Sequence, residues 1–489
     1  MKINLAGYNV DLDILKSFGI KNTELLTPEI FSAAYARISR SKKSVAELRK
    51  QAREDVKKAR SSNKNIIFNM GHHSVAEHAI FNFDLIGISR LALEEIEKFR
   101  LVSYTEKSQR YVTLDGDFII PSNIKDDNLL LLYKDTIKEQ NDFYSKAYKI
   151  LKDDIFKTNS TPKDANEIKK LEGWAKEDAR YILSLATLGQ VGLTINARNL
   201  EHMFRRFALS KYSEVRLIGN KIYDLVKDIA PSIILFPKPS EFEKKISQGF
   251  KNILPVPNVD KTEKDNQNNY VEIINYTPNG DELILIAMIA LKHNSSYERA
   301  KQLINSLNYE EKELIYKNIF EDLEFFDNLP REFEIPEITF KATVSASNFA
   351  QLKRHRIATL LTSVYDPDKQ NTIPERIVKT GLRDEFNEII NKTNQTYRKL
   401  KDKYLDTADY ILTNSHQRTV IMKMNLRTIY HFARLREDLH TQWDIRQLAS
   451  DLSKKIKEIM PLSAMLLCGK SNYTNEYEQI FNKKPKSIY

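Results

Sequence analysis

Cysteine is nearly absent: Cys468 is the single thiol in 489 residues. That excludes an internal disulfide and any zinc site built from several cysteines, and it suits a reducing compartment. Glycine (13) and proline (15) are sparse as well, so the chain is not loop-dominated and most residues fall in regular elements. No apolar run approaches the roughly 20 residues of a membrane span, and the N-terminus MKINLAGYNVDLDI lacks the basic-then-apolar order of a signal peptide. The expectation is a cytoplasmic protein with no membrane association. Acidic charge is outweighed, with 76 Lys+Arg against 66 Asp+Glu and a net charge of +10. Such a balance suits anionic partners, nucleotides and phosphorylated cofactors among them. Much of the excess is lysine scattered along helix faces, as in KKIKEIM and YKDTIKEQ. No basic patch interleaved with aromatics points to nucleic acid.

What is present is mostly helical periodicity. Windows at 28–38, 43–59, 128–152, 164–188, 376–412 and 445–459 repeat apolar residues at helix spacing. Two stretches alternate with period 2 instead and predict strands: AIFNFDLIGIS (79–89) and EITFKATVSASNF (337–349), the latter with Ile338, Phe340, Ala342 and Val344 on one face. From about 235 to 270 the pattern breaks into FPKPS, LPVPN and DKTEKDNQNN, which reads as a linker between a first domain (1–235) and a second (270–489).

Across the linker the chain repeats itself. The strand ending at Phe83 is followed by a helix reaching Arg100, 17 residues on, and the strand through Phe340 by one reaching Arg356, 16 residues on. Further along, Asn196-x-Arg198-x-x-x-His202 recurs as Asn425-x-Arg427-x-x-x-His431. Recurrence in the same order marks a diverged duplication. Polar residues gather at matching places in the two halves. The first half carries Glu106, Ser108, Gln109, Arg110 and Tyr111 within six residues; the second carries Arg354-His355-Arg356 in a row. Guanidiniums clustered this way favour a phosphate or a planar imide, which they bind bidentately. Upstream, SVAE (Ser74 to Glu77) has the spacing of a helix capping box. His72, His73 and His78 flank it, but no cysteine or convincing fourth ligand accompanies them, so no metal site is expected.

These residues resemble the flavin-dependent thymidylate synthases, whose hallmark is Arg-His-Arg-x-x-Ser-x-Asn-Glu-x-Ser-x-Arg-Tyr. KFRLVSYTEKSQRY keeps Arg100, Ser103, Glu106, Ser108, Arg110 and Tyr111 but has Lys98, Phe99 and Thr105 where the family has Arg, His and Asn. RHRIATLLTSVYDP keeps Arg354, His355 and Arg356 and loses the acidic and hydroxyl end. YARIS, ending at Ser39, and GHHSVAEHAIFNF resemble earlier segments of the family. NLRTIYHFARLREDLHTQWDIRQLA, with Asn425, Arg427, His431, Arg436, His440 and Gln442 in frame, resembles a later one. In the first repeat Phe207 falls at the position of Arg436, unless a one-residue gap restores Arg206. Arg180 fits a nucleotide-binding arginine whose second-repeat counterpart is Asp409.

The resemblance implies an α+β fold of two tandem repeats, each a mostly antiparallel sheet packed with helices. It also implies a reductive methylation of dUMP to dTMP by FAD, with NADPH and methylenetetrahydrofolate as co-substrates and no enzyme nucleophile. In this family the nucleotide site is assembled between chains of a tetramer; two repeats per chain imply a homodimer. Glu106, Ser108, Gln109, Arg110 and Arg180 of repeat one would then bind dUMP together with Gln351, Arg354 and Arg436 of repeat two, the last two being catalytic. His72, Ser74, Glu77, His355, Arg356, Ile357, Asn425, Arg427, His431 and His440 are implied for FAD. The opposite pairing, with Lys98, Phe207 and Asp409, should be dead. Against this stand a transferase acting on another pyrimidine nucleotide through Thr105 and Gln109, a non-catalytic flavin- or nucleotide-binding homologue, and a nucleic-acid-binding protein supported by charge alone.

Overall fold

The computed structural model describes residues 1–16, 26–38, 41–110, 116–159, 162, 164–249 and 271–486. By its internal contacts the chain divides into two units, Met1–Asp260 with Pro374–Thr413, and Lys261–Ile373 with Asn414–Tyr489. A division at 235 and 270 follows chain order; the contacts regroup it and give the first unit a segment from the second repeat.

The first unit is built on a four-stranded antiparallel sheet in the order β1 (Lys2–Tyr8), β2 (Ile80–Ser89), β4 (Leu188–Asn196), β3 (Val102–Glu106). Phe81, Phe83 and Leu85 of β2 are buried while Asn82 and Asp84 between them are exposed, as alternation requires. The ladder slips between Ile86 and Ile88, where Gly87 takes φ +66°, a backbone region that glycine enters without steric penalty. Ser89 then ends the strand: its Oγ accepts from the Ala92 amide and starts the Arg90–Ile96 helix. The long Asp127–Thr158 helix lies against Arg383–Lys403 from the second repeat. Thr136 and Thr396 meet at 3.0 Å, and Gln140 donates to Thr393 Oγ1 at 2.8 Å and to the Ile411 carbonyl at 3.1 Å. Such buried polar groups need their partners, so these contacts fix how the two helices register.

The second unit repeats the sheet with the same order: β5 (Val271–Tyr276), β6 (Glu337–Ser345), β8 (Gln417–Asn425), β7 (Thr359–Thr362). Ile338, Phe340, Ala342 and Val344 are buried as the alternation predicted, packing with the Leu426–Arg436 and Trp443–Ile459 helices. The expected strand to Phe349 stops at Ser345, because Ser345 Oγ accepts from the Asn348 amide and begins the Ala346–Leu352 helix.

Several expected helices divide. The 43–59 window is two helices parted at Asp55, 164–188 ends at Ala179 with one 3-10 turn (Arg180–Ile182), and 376–412 contains Glu375–Lys379, Arg383–Lys403 and a 3-10 turn at Ala408–Ile411. The expected linker holds a short helix, Glu241–Ser247, closed by a capping box on Ser240; its polar run lies outside the described residues, as do Ser39 and Tyr111. SVAE is not a capping box: His73–His78 is a 3-10 helix with His72 at its N-cap and no side-chain cap, and Glu77 turns to Arg198 instead. Among the described residues no helix is long and apolar enough to cross a membrane.

Candidate active site

In the first unit, β3 ends at Glu106 and the chain turns through Ser108, Gln109 and Arg110. The Arg110 amide donates to Ser108 Oγ at 3.1 Å, which folds the turn. Arg110 Nε lies 2.6 Å from a carboxylate oxygen of Glu177, near the end of the Ala165–Ala179 helix. Arg180 follows in the 3-10 turn, 4% exposed, with Nε donating to the Glu177 carbonyl at 3.4 Å. Glu106 lies 3.8 Å from Arg90, which also approaches Glu94 at 3.3 Å. The structure therefore gathers Glu106, Arg110 and Arg180 and adds Arg90, Glu94 and Glu177, which no motif in the sequence marks. Burial raises the Glu177 carboxyl above its ordinary range, and Arg110 and Arg180 pull it back. Burial also lowers Arg180 from its usual value, with Glu177 opposing and Arg110 and Arg90 adding like charge. Guanidiniums crowded this way are oriented before an anion arrives.

In the second unit, Arg436 ends the Leu426–Arg436 helix and its Nε donates to His355 Nε2 at 2.8 Å. Its two terminal nitrogens lie 3.5 Å from Gln351 Oε1 and from the Gln351 carbonyl. Gln351 in turn donates to Gln442 Oε1 at 3.4 Å, and Gln442 caps the Trp443–Ile459 helix. His355 is buried, its ring 4.7 Å from Phe432 and 6.4 Å from His431. Burial, and then the neighbouring positive charge of Arg436, push the His355 imidazole down to about 3. It is neutral near pH 7, which leaves Nε2 free of a proton and able to accept. Arg354 is exposed beside it.

The sheet registers, Ile80 opposite Asn196 and Glu337 opposite Asn425, align the repeats and show what stands at the corresponding positions. Phe99, the counterpart of His355, is buried against Phe207 at 5.9 Å and His202 at 5.5 Å. Phe207 takes the place of Arg436, each at the same offset from its capping asparagine on an uninterrupted helix, and lies so close over Gly219 that a Cβ there would come within 3.0 Å of it. Lys98 pairs with Glu95 at 2.6 Å. Asp409, at the position of Arg180, accepts from Lys211 at 2.5 Å and from the Tyr212 hydroxyl at 2.6 Å within the first unit. An apolar plug, and a carboxylate already engaged by Lys211 and Tyr212, thus occupy the pairing expected to be dead. In the second unit Thr362, Val364 and Asp366 stand where Glu106, Ser108 and Arg110 stand in the first.

The residues implied for flavin fall into two groups. Asn425 caps its helix by accepting from the Thr428 amide, as Asn196 does from Asn199. Arg427 donates to the Leu329 carbonyl at 2.6 Å and pairs with Glu334 at 2.9 Å, while Arg198 pairs with Glu77 at 2.5 Å. Glu334 is thus the second-repeat counterpart of Glu77, on the 3-10 helix Arg331–Glu334 that precedes β6 as His73–His78 precedes β2. The two glutamates stand at the same distance before their strands, but the turns around them, HSVAEH and REFE, share too little else to mark the match. By contrast His431, His440 and Ile357 are exposed and Arg356 is partly so, as are His72 and Ser74 in the first unit. Cationic and imidazole donors facing outward beside an apolar side chain suit a ring with an attached diphosphate. Among the described residues no cluster of three His, Cys, Asp or Glu side chains is placed to hold a metal ion.

Comparison with known proteins finds a family match in each repeat. The profile of the family described as "Thymidylate synthase complementing protein" matches twice, over residues 23–232 and 272–462. A flavin-dependent thymidylate synthase of Clostridium tetani is 31% identical over 234 residues, 46% of this chain and 89% of that protein. A UPF0159 protein of Thermoplasma acidophilum is 22% identical over 442 residues, 83% of this chain and 87% of that protein. Another, from Chlamydia muridarum, is 22% identical over 428 residues, 83% and 80% of the two chains. Relatives thus come in two lengths, one matching a single repeat and one running through both. A solved structure of a UMP/dUMP methylase from Streptomyces cacaoi is 14% identical, with a TM-score of 0.31 over 40% of this chain and 92% of that one. With its hallmark split between two repeats and the family profile matched in each, the chain belongs to the thymidylate synthase complementing protein family.

Proposed function

We propose that this chain is a flavin-dependent thymidylate synthase that methylates C5 of dUMP, using FAD, methylenetetrahydrofolate as one-carbon donor and NADPH as reductant, and that it works as a homodimer. The observation that carries the reading is complementary loss. Cations survive at Arg110 and Arg180 in repeat one and at Arg354 and Arg436 in repeat two, while the corresponding positions hold Asp366, Asp409, Lys98 and Phe207, so three of the four guanidiniums have lost their charge in the other repeat and the fourth is a lysine. Random decay would not leave one full set.

In this reading Ser108, Arg110 and Arg180 hold the nucleotide phosphate, Gln109 and Gln351 support it, and Glu106 orients the sugar or the ring by accepting hydrogen bonds. Arg436, with Arg354 beside it, stabilises the negative charge that builds on the uracil ring as C5 becomes nucleophilic, a role that needs fixed donors in a water-poor cleft. Neutral His355 keeps Arg436 aimed without sharing its charge. His431, His440, Arg356 and Ile357 hold the flavin, Asn425 and Arg427 frame it through their cap and ion pair, and His72, Ser74 and Glu77 add to it from repeat one. Bound flavin supplies the reducing equivalents. No serine, cysteine or threonine is asked to attack, in keeping with a lone buried thiol that burial pushes up to about 12.

The test is the visible spectrum of the full-length protein reconstituted with FAD, before and after dUMP, UMP and dCMP, followed by turnover. A flavin spectrum perturbed by dUMP, with thymidylate formed by the wild type and lost in Arg436→Ala, bears the proposal out. A protein that takes up no flavin refutes it, and a response to another nucleotide alone moves the substrate assignment.

A further inference from the structure

The turn that follows Arg436 is held by residues past the second family-matched stretch, which ends at 462. Glu437 is the C-cap of the Leu426–Arg436 helix, and its carboxylate accepts from the Gly469 amide at 3.1 Å. Two residues on, the Leu439 amide donates to Ser471 Oγ at 3.1 Å. Gly469 has ordinary extended backbone, φ −68°, so its need for glycine is spatial. A Cβ there would lie 2.6 Å from the carbonyl carbon of Glu437 and 2.8 Å from its oxygen and Cβ. The stretch from Cys468 to Ser471 therefore lies flat against the backbone between Arg436 and His440. Behind it, the hydroxyls of Tyr473 and Tyr477 donate to the carbonyls of Leu323 and Glu321, which fasten the segment to the second unit.

Among the described residues the first repeat has no such clamp at the end of its helix; its Glu201 accepts from the Leu235 and Phe236 amides two turns earlier. Its position corresponding to Glu437 is Ala208, behind the apolar Phe207. The carboxylate accompanies the arginine and is missing where the arginine is missing. A structural cap needed by this helix in general would have no reason to follow that pattern.

We propose that Glu437, Gly469 and Ser471 are positioning residues for Arg436, fixing the helix end from which its guanidinium reaches His355 and Gln351. The inference rests on the reading that Arg436 acts on the nucleotide. A shift of about 1 Å in a positioned group is enough to lower turnover by up to about 100-fold, and the Gly469 contact leaves no slack of that size.

The experiment uses the full chain with FAD and measures dUMP dissociation constants and kcat/KM for Gly469→Ala, Ser471→Ala, Glu437→Ala and Glu437→Gln, each also in an Arg436→Ala background. Expected are losses of about 10-fold or more for Gly469→Ala and about fivefold for Ser471→Ala, which deletes one hydrogen bond. Glu437→Gln, which keeps an oxygen to accept from Gly469, should recover most of what Glu437→Ala loses. In the Arg436→Ala background all four should add nothing to the dUMP dissociation constant. Equal losses in both backgrounds, or none in the parent, overturn the clamp. If Gly469→Ala does not fold, the Ser471 and Glu437 variants decide. If Arg436→Ala binds and turns over dUMP like the parent, the functional reading and the clamp fall together. If Arg436→Ala is defective and the clamp variants are not, only the clamp falls.

Discussion

The contact between His355 and Arg436 makes a quantitative prediction about pH. His355 is buried with its Nε2 accepting from Arg436, and its imidazole is pushed from an ordinary 6.5 down to about 3. Above pH 6.5 the ring is neutral in both folded and unfolded chains and contributes no difference. As pH falls below 6.5 the unfolded chain gains a proton that the folded chain refuses, so stability is lost steadily until the folded pKa is reached. At about 1.36 kcal/mol per unit of pKa, His355 alone costs about 2 kcal/mol between pH 8 and pH 5. His355→Gln removes the titrating group while keeping a side chain that can accept from Arg436. The assay is urea denaturation of the parent and the variant at pH 8 and pH 5, comparing the change within each protein. His202 and His431, whose imidazoles burial also lowers, titrate in both proteins and cancel. The variant is expected to lose about 2 kcal/mol less than the parent over that interval. Parallel losses would refute the reasoning and mean that His355 is hydrated or carries a proton when folded.

Two further outcomes follow from the paired half-sites. Lys98→Ala should leave kcat/KM within about twofold of the parent, because Lys98 makes only a surface pair with Glu95; a defect of ten times that size in steady-state assays would mean the second pairing also works. Arg110→Ala and Arg354→Ala should each be inactive alone, since they remove opposite halves. Mixing the two through unfolding and refolding restores turnover if the halves meet across chains and leaves it absent if they meet within one.

The duplication was legible because Asn-x-Arg-x-x-x-His sits at one structural place in both repeats, after the second central strand and at the start of a helix. What the pattern did not say is why the asparagine recurs: Asn196 and Asn425 are helix caps, and local backbone chemistry is enough to keep them. Arg198 and Arg427 were legible as a pair of positions but not as ion pairs, because Glu77 and Glu334 lie on 3-10 turns of different sequence. Arg90 and Glu177 escaped notice for a related reason. Charges that meet only when a strand end, a turn and a distant helix converge leave no spacing to read along the chain. The helix after β6 was legible from the repeat, but alternation continued by chance through Phe349 and hid where the strand ends, which the Ser345 cap decides. Asp409 was legible as a reversal of charge, but its partners Lys211 and Tyr212 lie in the other repeat and needed the coordinates.

The placement of Pro374–Thr413 in the first unit bears on the order in which the protein is made. Gln140 waits for Thr393 and Ile411, and the amides of Leu185 and Ala186 wait for Leu412 and Tyr410. At about 5–20 residues per second, the ribosome takes roughly 8–30 s to travel from residue 260 to residue 413. Through that interval the nascent first unit presents the flank of its longest helix uncovered, and it closes only when a late segment arrives. A transcript cut after residue 373 would yield an N-terminal piece lacking this cover, prone to capture by chaperones or to aggregation. Tandem fusion therefore ties the two halves together during synthesis, since the first cannot finish before most of the second has been translated.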